Sequence, residues 1–142
     1  IKTQEITGSM KGRSNIISRL RELIQNAKKE ILISTSVTDF EDKSRVLLPA
    51  LEQAARNNIR VRLALAGPQD KIKKISSRTN IKTIAAESDA RLYIADNTEI
   101  LFMITPEKSD EEIAIWLNSP FFAQSMSLIL DANMNNIKKN GK

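Results

Sequence analysis

Residues 30–36 read E-I-L-I-S-T-S, and residues 60–66 read R-V-R-L-A-L-A. Each is a short apolar run between polar segments, which is typical of a strand buried on both faces. Helical patterns stand before the two runs, at 14–28 and 44–57, with apolar residues at helical spacing. This alternation of helix and strand, with crossovers of about 30 residues, predicts a parallel sheet covered by helices.

The pattern changes in the second half of the chain. A short helix at 70–77 and a weak strand at 81–85 continue the alternation, and three closely spaced strands then follow at 91–95, 99–105 and 112–117. Residues 96–98 (D-N-T) make a tight turn between the first two of these strands. Ser119 is a good N-cap for a last helix that begins at Pro120 and runs to residue 137. The sequence therefore predicts an α/β fold with a mixed sheet, parallel in its first half and hairpin-rich in its second, with helices on both faces.

The remaining segments set the expected boundaries of one domain at residues 14–137. Residues 1–13 are polar and contain Gly8 and Gly12, which indicates a linker or tail, and residues 138–142 are expected to fray. Residues 37–43 are expected to form an acidic loop before the second helix. Pro49 should then lie near the first turn of that helix, or kink it.

Composition excludes several classes of function. The 142 residues include no His and no Cys, so mechanisms with a His base, a Cys nucleophile, a Cys/His zinc site or a disulfide are excluded. Four glycines are too few for a glycine-rich phosphate loop. The neighbouring acids Asp39 and Asp42, and Glu111 and Glu112, are expected to be solvated. We expect no cofactor, no metal and no membrane segment, hence a cytoplasmic protein.

The net charge of +5 is unevenly distributed. Residues 1–92 contain 18 basic and 10 acidic side chains, whereas residues 93–142 contain 4 basic and 7 acidic ones. A basic half is compatible with a nucleic-acid face or with an ordinary solvated surface. Clustering of the following side chains in space would favour a nucleic-acid-binding module: Arg19, Arg21, Lys28, Arg60 and Arg62.

The order of elements, together with a few local stretches, resembles a known family. A-K-K-E-I-L-I-S-T at 27–35 is followed by a helix, N-I-R-V-R-L-A-L at 58–65, the hairpin with its D-N-T turn, and I-W-L-N-S at 115–119. This order is similar to that of the phospholipase D-like domain. More narrowly, the chain resembles the C-terminal sensor domain of TrmB-like archaeal transcriptional regulators.

The resemblance implies that the catalytic signature of the phospholipase D family is lost. That signature is His-x-Lys, followed after four residues by Asp and later in the chain by an Asn. In this chain Asp89 stands at the position of the His and Arg91 at that of the Lys. Asp96 matches the Asp of the signature, and Asn118 matches the later Asn. Because the family's nucleophile is the His, its replacement removes the covalent phospho-enzyme step. Arg91 keeps a charge that could bind a phosphate, or it is a surface strand residue paired to Asp89 or Asp96.

The function implied is that of a non-catalytic effector-sensing or dimerisation domain of a transcriptional regulator. DNA would be bound only by a winged-helix part absent from this chain, and the effector would be a sugar or small anion. A homodimer could form through the last helix, where Phe121 and Leu128 widen the apolar stripe. The alternatives are a phospholipase D-like nuclease or phosphodiesterase, and the basic nucleic-acid module. The loop after the first buried strand should meet the hairpin and the end of the strand at 112–117. The predicted ligand-binding residues there are Ser34, Ser36, Asp89, Arg91, Asp96 and Asn118.

Overall fold

The protein is described from a computed structural model that covers residues 7–87 and 90–140. Its elements follow in chain order: β1 (Thr7–Lys11), α1 (Arg13–Asn26), β2 (Glu30–Ser36), α2 (Val37–Arg56), β3 (Arg60–Ala66), α3 (Gln69–Thr79), β4 (Lys82–Ala85), β5 (Leu92–Ala95), β6 (Glu99–Met103), β7 (Ile113–Asn118) and α4 (Pro120–Asn140).

The strands of the described residues form one mixed sheet in the order β1-β7-β6-β5-β2-β3-β4. The strands β2, β3 and β4 pair in parallel, whereas β5, β6, β7 and β1 join the sheet in antiparallel pairs. The predicted change from a parallel first half to a hairpin-rich second half is confirmed, and the change occurs between β2 and β5.

Helices cover both faces of this sheet, as predicted. Alternate residues of β2 point to opposite faces, so Ile33 packs in a core with residues of α1, α2 and α3, while Leu32 packs in a second core under α4. An ion pair also joins α4 to the sheet, since Nη1 of Arg62 in β3 lies 2.6 Å from Asp131 Oδ1 of α4. No helix in the part of the chain that the structure describes is both long and apolar enough to cross a membrane.

The N-terminal segment differs from the expected tail. Thr7–Lys11 forms the edge strand β1, antiparallel to β7, with Gly8 opposite Trp116 and Met10 opposite Ala114. Only alternate residues of this polar strand are half-buried, and Met10 packs against the main core. A short polar edge strand has little hydrophobic pattern, which is why the sequence indicated a linker.

The expected acidic loop at 37–43 is also wrong, because α2 begins at Val37 directly after β2. Ser36 caps the helix: its Oγ accepts a hydrogen bond of 3.0 Å from the backbone N–H of Asp39. Pro49 consequently lies well inside a helix of 20 residues, and not in its first turn. At the other end of the chain, α4 continues to Asn140, past the expected end at 137, and residues 141–142 lie outside the described residues.

The tight turn after β5 is confirmed. Asp96 and Asn97 have φ values of 55° and 53°, and the Thr98 N–H donates to the Ala95 carbonyl at 3.0 Å. Positive φ at both central residues is the geometry of a type I′ hairpin turn, which Asp and Asn tolerate better than most residues.

Candidate functional site

A cluster of buried polar side chains lies at the carboxyl end of β2, between the sheet and α2. The first turn of α2 supplies Asp39 and its second turn supplies Lys43. Arg91 directly precedes β5, and Tyr93 lies within it. The antiparallel register of β2 and β5, which places Ser34 opposite Leu92, brings the start of β5 to this end of the sheet. Glu112, just before β7, completes the cluster.

Asp39 is the centre of the cluster and is 4% exposed. Its Oδ2 accepts hydrogen bonds from Thr35 Oγ1 at 2.7 Å and from the Tyr93 hydroxyl at 2.9 Å. Its Oδ1 contacts Lys43 Nζ and lies 3.1 Å from Arg91 Nη1. Burial by itself raises the pKa of Asp39, but the hydrogen bond and charge of Lys43, with the two hydroxyls, hold the pKa below its ordinary value of 3.8.

Arg91 is 4% exposed, and both Nη atoms of its guanidinium donate to neighbouring oxygens. Besides Asp39, Nη1 contacts Glu112 Oε2 at 3.1 Å, and Nη2 donates to the Thr105 carbonyl at 2.5 Å. Burial opposes the charge, yet the hydrogen bond to Glu112 and the charges of Asp39 and Glu112 raise the pKa of Arg91 above its ordinary value. The guanidinium is therefore a permanently charged bridge between α2 and the segment before β7.

Tyr93 is 2% exposed and acts as a donor to Asp39. Burial, followed by the negative charge of Asp39, raises the pKa of Tyr93 well above its ordinary value. The phenol therefore keeps its proton at neutral pH, and its role is to hold the carboxylate in place.

A cleft of about 440 Å³ opens beside the cluster. Asp39 and Glu112 form part of its wall, and Glu112 Oε1 is a buried atom without a hydrogen-bond partner among the described residues. Six of the lining residues are acidic and two are basic. The complete lining is Gly12, Arg13, Asp39, Asp42, Glu107, Lys108, Ser109, Asp110, Glu111 and Glu112.

Two of the predicted ligand-binding residues belong to this end of the sheet, Ser36 and Arg91. Ser36 caps α2 and also donates a hydrogen bond to Glu107, a residue of the cleft wall. Arg91 is neither exposed nor paired with Asp96, so its interpretation as a surface strand residue is corrected: its acidic partners are Asp39 and Glu112. Asp89 lies outside the described residues.

Ser34 is fully buried, but its side chain lies on the face of the sheet opposite to the cluster. Like Leu32, two residues before it, it points to the α4 face of the sheet, and its Oγ has no hydrogen-bond partner among the described residues. Ser34 is therefore not part of the cleft wall.

Asp96 and Asn118 lie at the opposite end of the sheet from Arg91, so their expected convergence with it is wrong. Asn118 pairs with Glu99, and Glu99 pairs with Ala95 beside the hairpin turn. The carboxylate of Asp96 accepts from the backbone N–H groups of Lys28, Lys29 and Glu30 at 2.7–3.2 Å. Burial opposes ionisation, but the hydrogen bonds from these three N–H groups lower the pKa of Asp96, whose role is to tie the hairpin to the start of β2.

Four residues of the cluster were not predicted from the sequence: Asp39, Lys43, Tyr93 and Glu112. Asp39 and Glu112 were expected to be solvated, but only their neighbours Asp42 and Glu111 are exposed. Spacing alone does not show which acid of a close pair faces the core. Two patterns could have identified Asp39: its position three residues after the N-cap Ser36, and its i,i+4 spacing to Lys43.

The basic side chains expected to form a nucleic-acid face do not all share one surface. Arg62 is buried on the α4 face, whereas Arg19 of α1 stacks on the ring of Trp116 at 4.8 Å on the other face. No group of three or more acidic side chains within the described ranges is arranged to hold a metal ion.

Comparison with known families decides the identity. The family model described as "Transcriptional regulator TrmB, EBD N-terminal subdomain" matches residues 8–131. The chain belongs to this TrmB family. Comparison with curated proteins finds no significant match.

Solved structures place the TrmB subdomain in the phospholipase D fold. TrmBL2, described as an archaeal chromatin protein with a novel mode of DNA binding, superposes with a TM-score of 0.69 at 15% identity, over 90% of this chain and 51% of that chain. The phospholipase D family member Nuc from Salmonella typhimurium gives 0.65 at 16% identity, over 91% and 95% of the two chains. NucT from Helicobacter pylori gives 0.68 at 11% identity, over 91% and 96%. The chain thus spans about half the length of TrmBL2.

Proposed function

We propose that this chain is a non-catalytic, effector-sensing subdomain of a TrmB-family transcriptional regulator. The match of the family model over residues 8–131 supports the regulator class. In this proposal DNA is bound by a winged-helix part elsewhere in the full-length regulator, and the protein acts in the cytoplasm. The observation that carries the non-catalytic assignment is the environment of Arg91, which stands at the position of the family's lysine.

Catalysis of the phospholipase D type needs a nucleophile and a cation free to bind phosphate. The sequence contains no His. Both Nη atoms of Arg91 are already bonded to protein oxygens, from Asp39, Glu112 and Thr105. A phosphate that replaced these carboxylates on the buried guanidinium would leave buried charges unpaired, at a cost of several kcal/mol.

Hydrolysis of bis(p-nitrophenyl) phosphate tests this assignment against the phosphodiesterase alternative. We expect no turnover above the buffer background, with or without added Mg²⁺, and the same background rate for the Arg91→Ala variant. Turnover that elutes with the purified protein and is lost in Arg91→Ala would contradict the proposal.

We propose the cleft beside Arg91 as the effector site. The cleft wall reaches the start of α2 through Asp39 and the segment before β7 through Glu112, and Arg91 links the two side chains. A molecule bound there would contact one end of a continuous chain of buried ion pairs and so act on the packing of α2.

We also propose that the subdomain pairs with a second copy through α4. Phe121 and Leu128 are 81% and 70% exposed, and they stand seven residues apart, on one face of the helix. Large apolar side chains exposed together on one helix are characteristic of a protein–protein contact surface.

A further inference from the structure

We infer that the cleft binds a small organic cation, one carrying amine or guanidine groups, and not an anion. This inference deepens the proposed function, since it rests on the cleft being the effector site and names the chemical class of the effector. The binding itself depends only on the groups that line the cleft.

The charge of the wall favours a cation. Six lining residues are acidic, and Arg13 and Lys108 are the two basic ones. Arg13 already donates from Nη2 to the backbone carbonyl of Asp42 at 2.9 Å. Even when Lys43 and Arg91, which lie behind the wall, are included, the acidic groups outnumber the basic ones by six to four. A concave wall with this excess raises the local concentration of cations.

Glu112 gives the cleft a specific acceptor. It is 9% exposed, its Oε2 is bound to Arg91, and its Oε1 is buried without a hydrogen-bond partner in the described part of the chain. An unsatisfied buried carboxylate oxygen is energetically costly, so native structures usually supply a donor for it. An N–H group of a ligand would be that donor.

The geometry of Arg91 argues against an anion. Three N–H groups of Arg91 already donate to Asp39, Glu112 and the Thr105 carbonyl, so the guanidinium is paired with two carboxylates. An anion would instead meet carboxylates across most of the wall. The volume of about 440 Å³ suits a molecule of several heavy atoms better than a single ion.

Titration calorimetry of the full chain at low ionic strength tests the inference with 1,4-diaminobutane and spermidine as probes, and glucose, inorganic phosphate and Mg²⁺ as comparisons. We expect the amines to bind with an affinity that falls as salt is added. Glu112→Gln should weaken amine binding about ten-fold or more, because it removes the charge of the acceptor. Glu52→Gln on α2, which makes the same change of charge away from the cleft, should leave the affinity within about two-fold.

Circular dichroism at the titration temperature establishes that each variant is folded. If Glu112→Gln is unfolded, Glu107→Gln, at another acidic residue of the cleft wall, takes its place with the same expected direction. Absence of amine binding, or equal losses in the cleft variant and Glu52→Gln, would overturn the inference.

Binding of glucose, phosphate or Mg²⁺ that depends on Glu112 while the amines do not bind would also overturn the cation assignment. That result would leave the cleft as the effector site. The regulator assignment fails by a different result, enzymatic turnover that is lost in Arg91→Ala.

Discussion

Asp39 receives four side-chain contacts, from Thr35, Tyr93, Lys43 and Arg91, and its removal should be costly. The Asp39→Asn substitution leaves Lys43, which is 1% exposed, without an ionic partner. Breaking one side of a buried pair typically costs about 3–5 kcal/mol. We expect a decrease of that size in the free energy of unfolding, measured by urea denaturation. Asp42→Asn, an exposed change three residues along the same helix, should alter it by less than about 0.5 kcal/mol.

The sequence identified Arg91 as a candidate site residue but could not predict its ion-pair partners. Arg91 was predicted from its position before the hairpin and from its match to the family signature. Its partners Asp39 of α2 and Glu112 before β7 are 52 and 21 residues away in sequence. Ion pairs of this separation leave no periodic pattern in the chain. They are set by strand order, which the sequence constrains only loosely.

Acid should weaken the fold through Asp39 and Asp96, whose pKa values both lie below the ordinary value of 3.8. A carboxyl whose pKa is depressed on folding stabilises the native state above the unfolded pKa, and this contribution is lost as pH falls through the folded pKa. We therefore expect the free energy of unfolding to fall as the pH decreases from about 5 to 3.

The Asp96→Asn variant separates the contribution of one carboxylate to this pH dependence. Asn tolerates the positive φ of 55° at this position, so the turn is kept while the hydrogen bonds from the N–H groups of Lys28, Lys29 and Glu30 lose the negative charge of their acceptor. The variant should be less stable than the parent by about 2 kcal/mol at pH 7, and this difference should shrink near pH 3. Equal differences at both pH values would show that Asp96 acts through packing alone.

At the level of elements, the buried strands could be predicted from the sequence, but the edge strand β1 could not. The buried strands β2 and β3 were predicted because their apolar residues are contiguous. In contrast, β1 (TGSMK) has one apolar side chain in five residues and depends on its partner β7 for its conformation. Tertiary pairing, and not local propensity, determines this strand.

Removal of residues 1–11 tests the contribution of β1. A chain that begins at Gly12 loses the packing of Met10 and leaves the edge of β7 unpaired. We expect a loss of about 1–3 kcal/mol in the free energy of unfolding, measured by urea denaturation, and a greater tendency to aggregate. An unchanged stability would mean that the segment behaves as a tail.

The start of helix α2 was predicted wrongly because local residue propensities there favour a loop. Residues 37–39 (V-T-D) contain two β-branched residues and an acid, which favour a loop or strand over a helix. The Ser36 cap and the first-turn Asp39, which suits the positive end of the helix dipole, outweigh these propensities. The part of α2 that was expected to be a loop, 37–43, also carries Asp39 and Lys43, so the error about the element became an error about the site.

At the scale of the whole molecule, the sheet has two unequal faces. Three helices, α1, α2 and α3, cover one face, whereas α4 covers the other and buries Ala123 and Leu130. With its inner face on the sheet, α4 still exposes Phe121, Leu128 and Ile129 at 81%, 70% and 53%. Coverage by the sheet therefore does not account for these three apolar side chains of α4.

The proposed homodimer follows from this exposed stripe of α4, because a two-fold axis can place the same apolar stripe of two copies against each other. We expect light scattering with size-exclusion chromatography to give the mass of a dimer at about 100 μM protein. The double variant Phe121→Ser and Leu128→Ser should give the monomer mass with little change in stability, because both side chains are exposed in the single subunit. Lys71→Ser, an exposed change on α3 at the other face of the sheet, should remain dimeric. A monomer mass for the parent chain at this concentration would contradict pairing through α4.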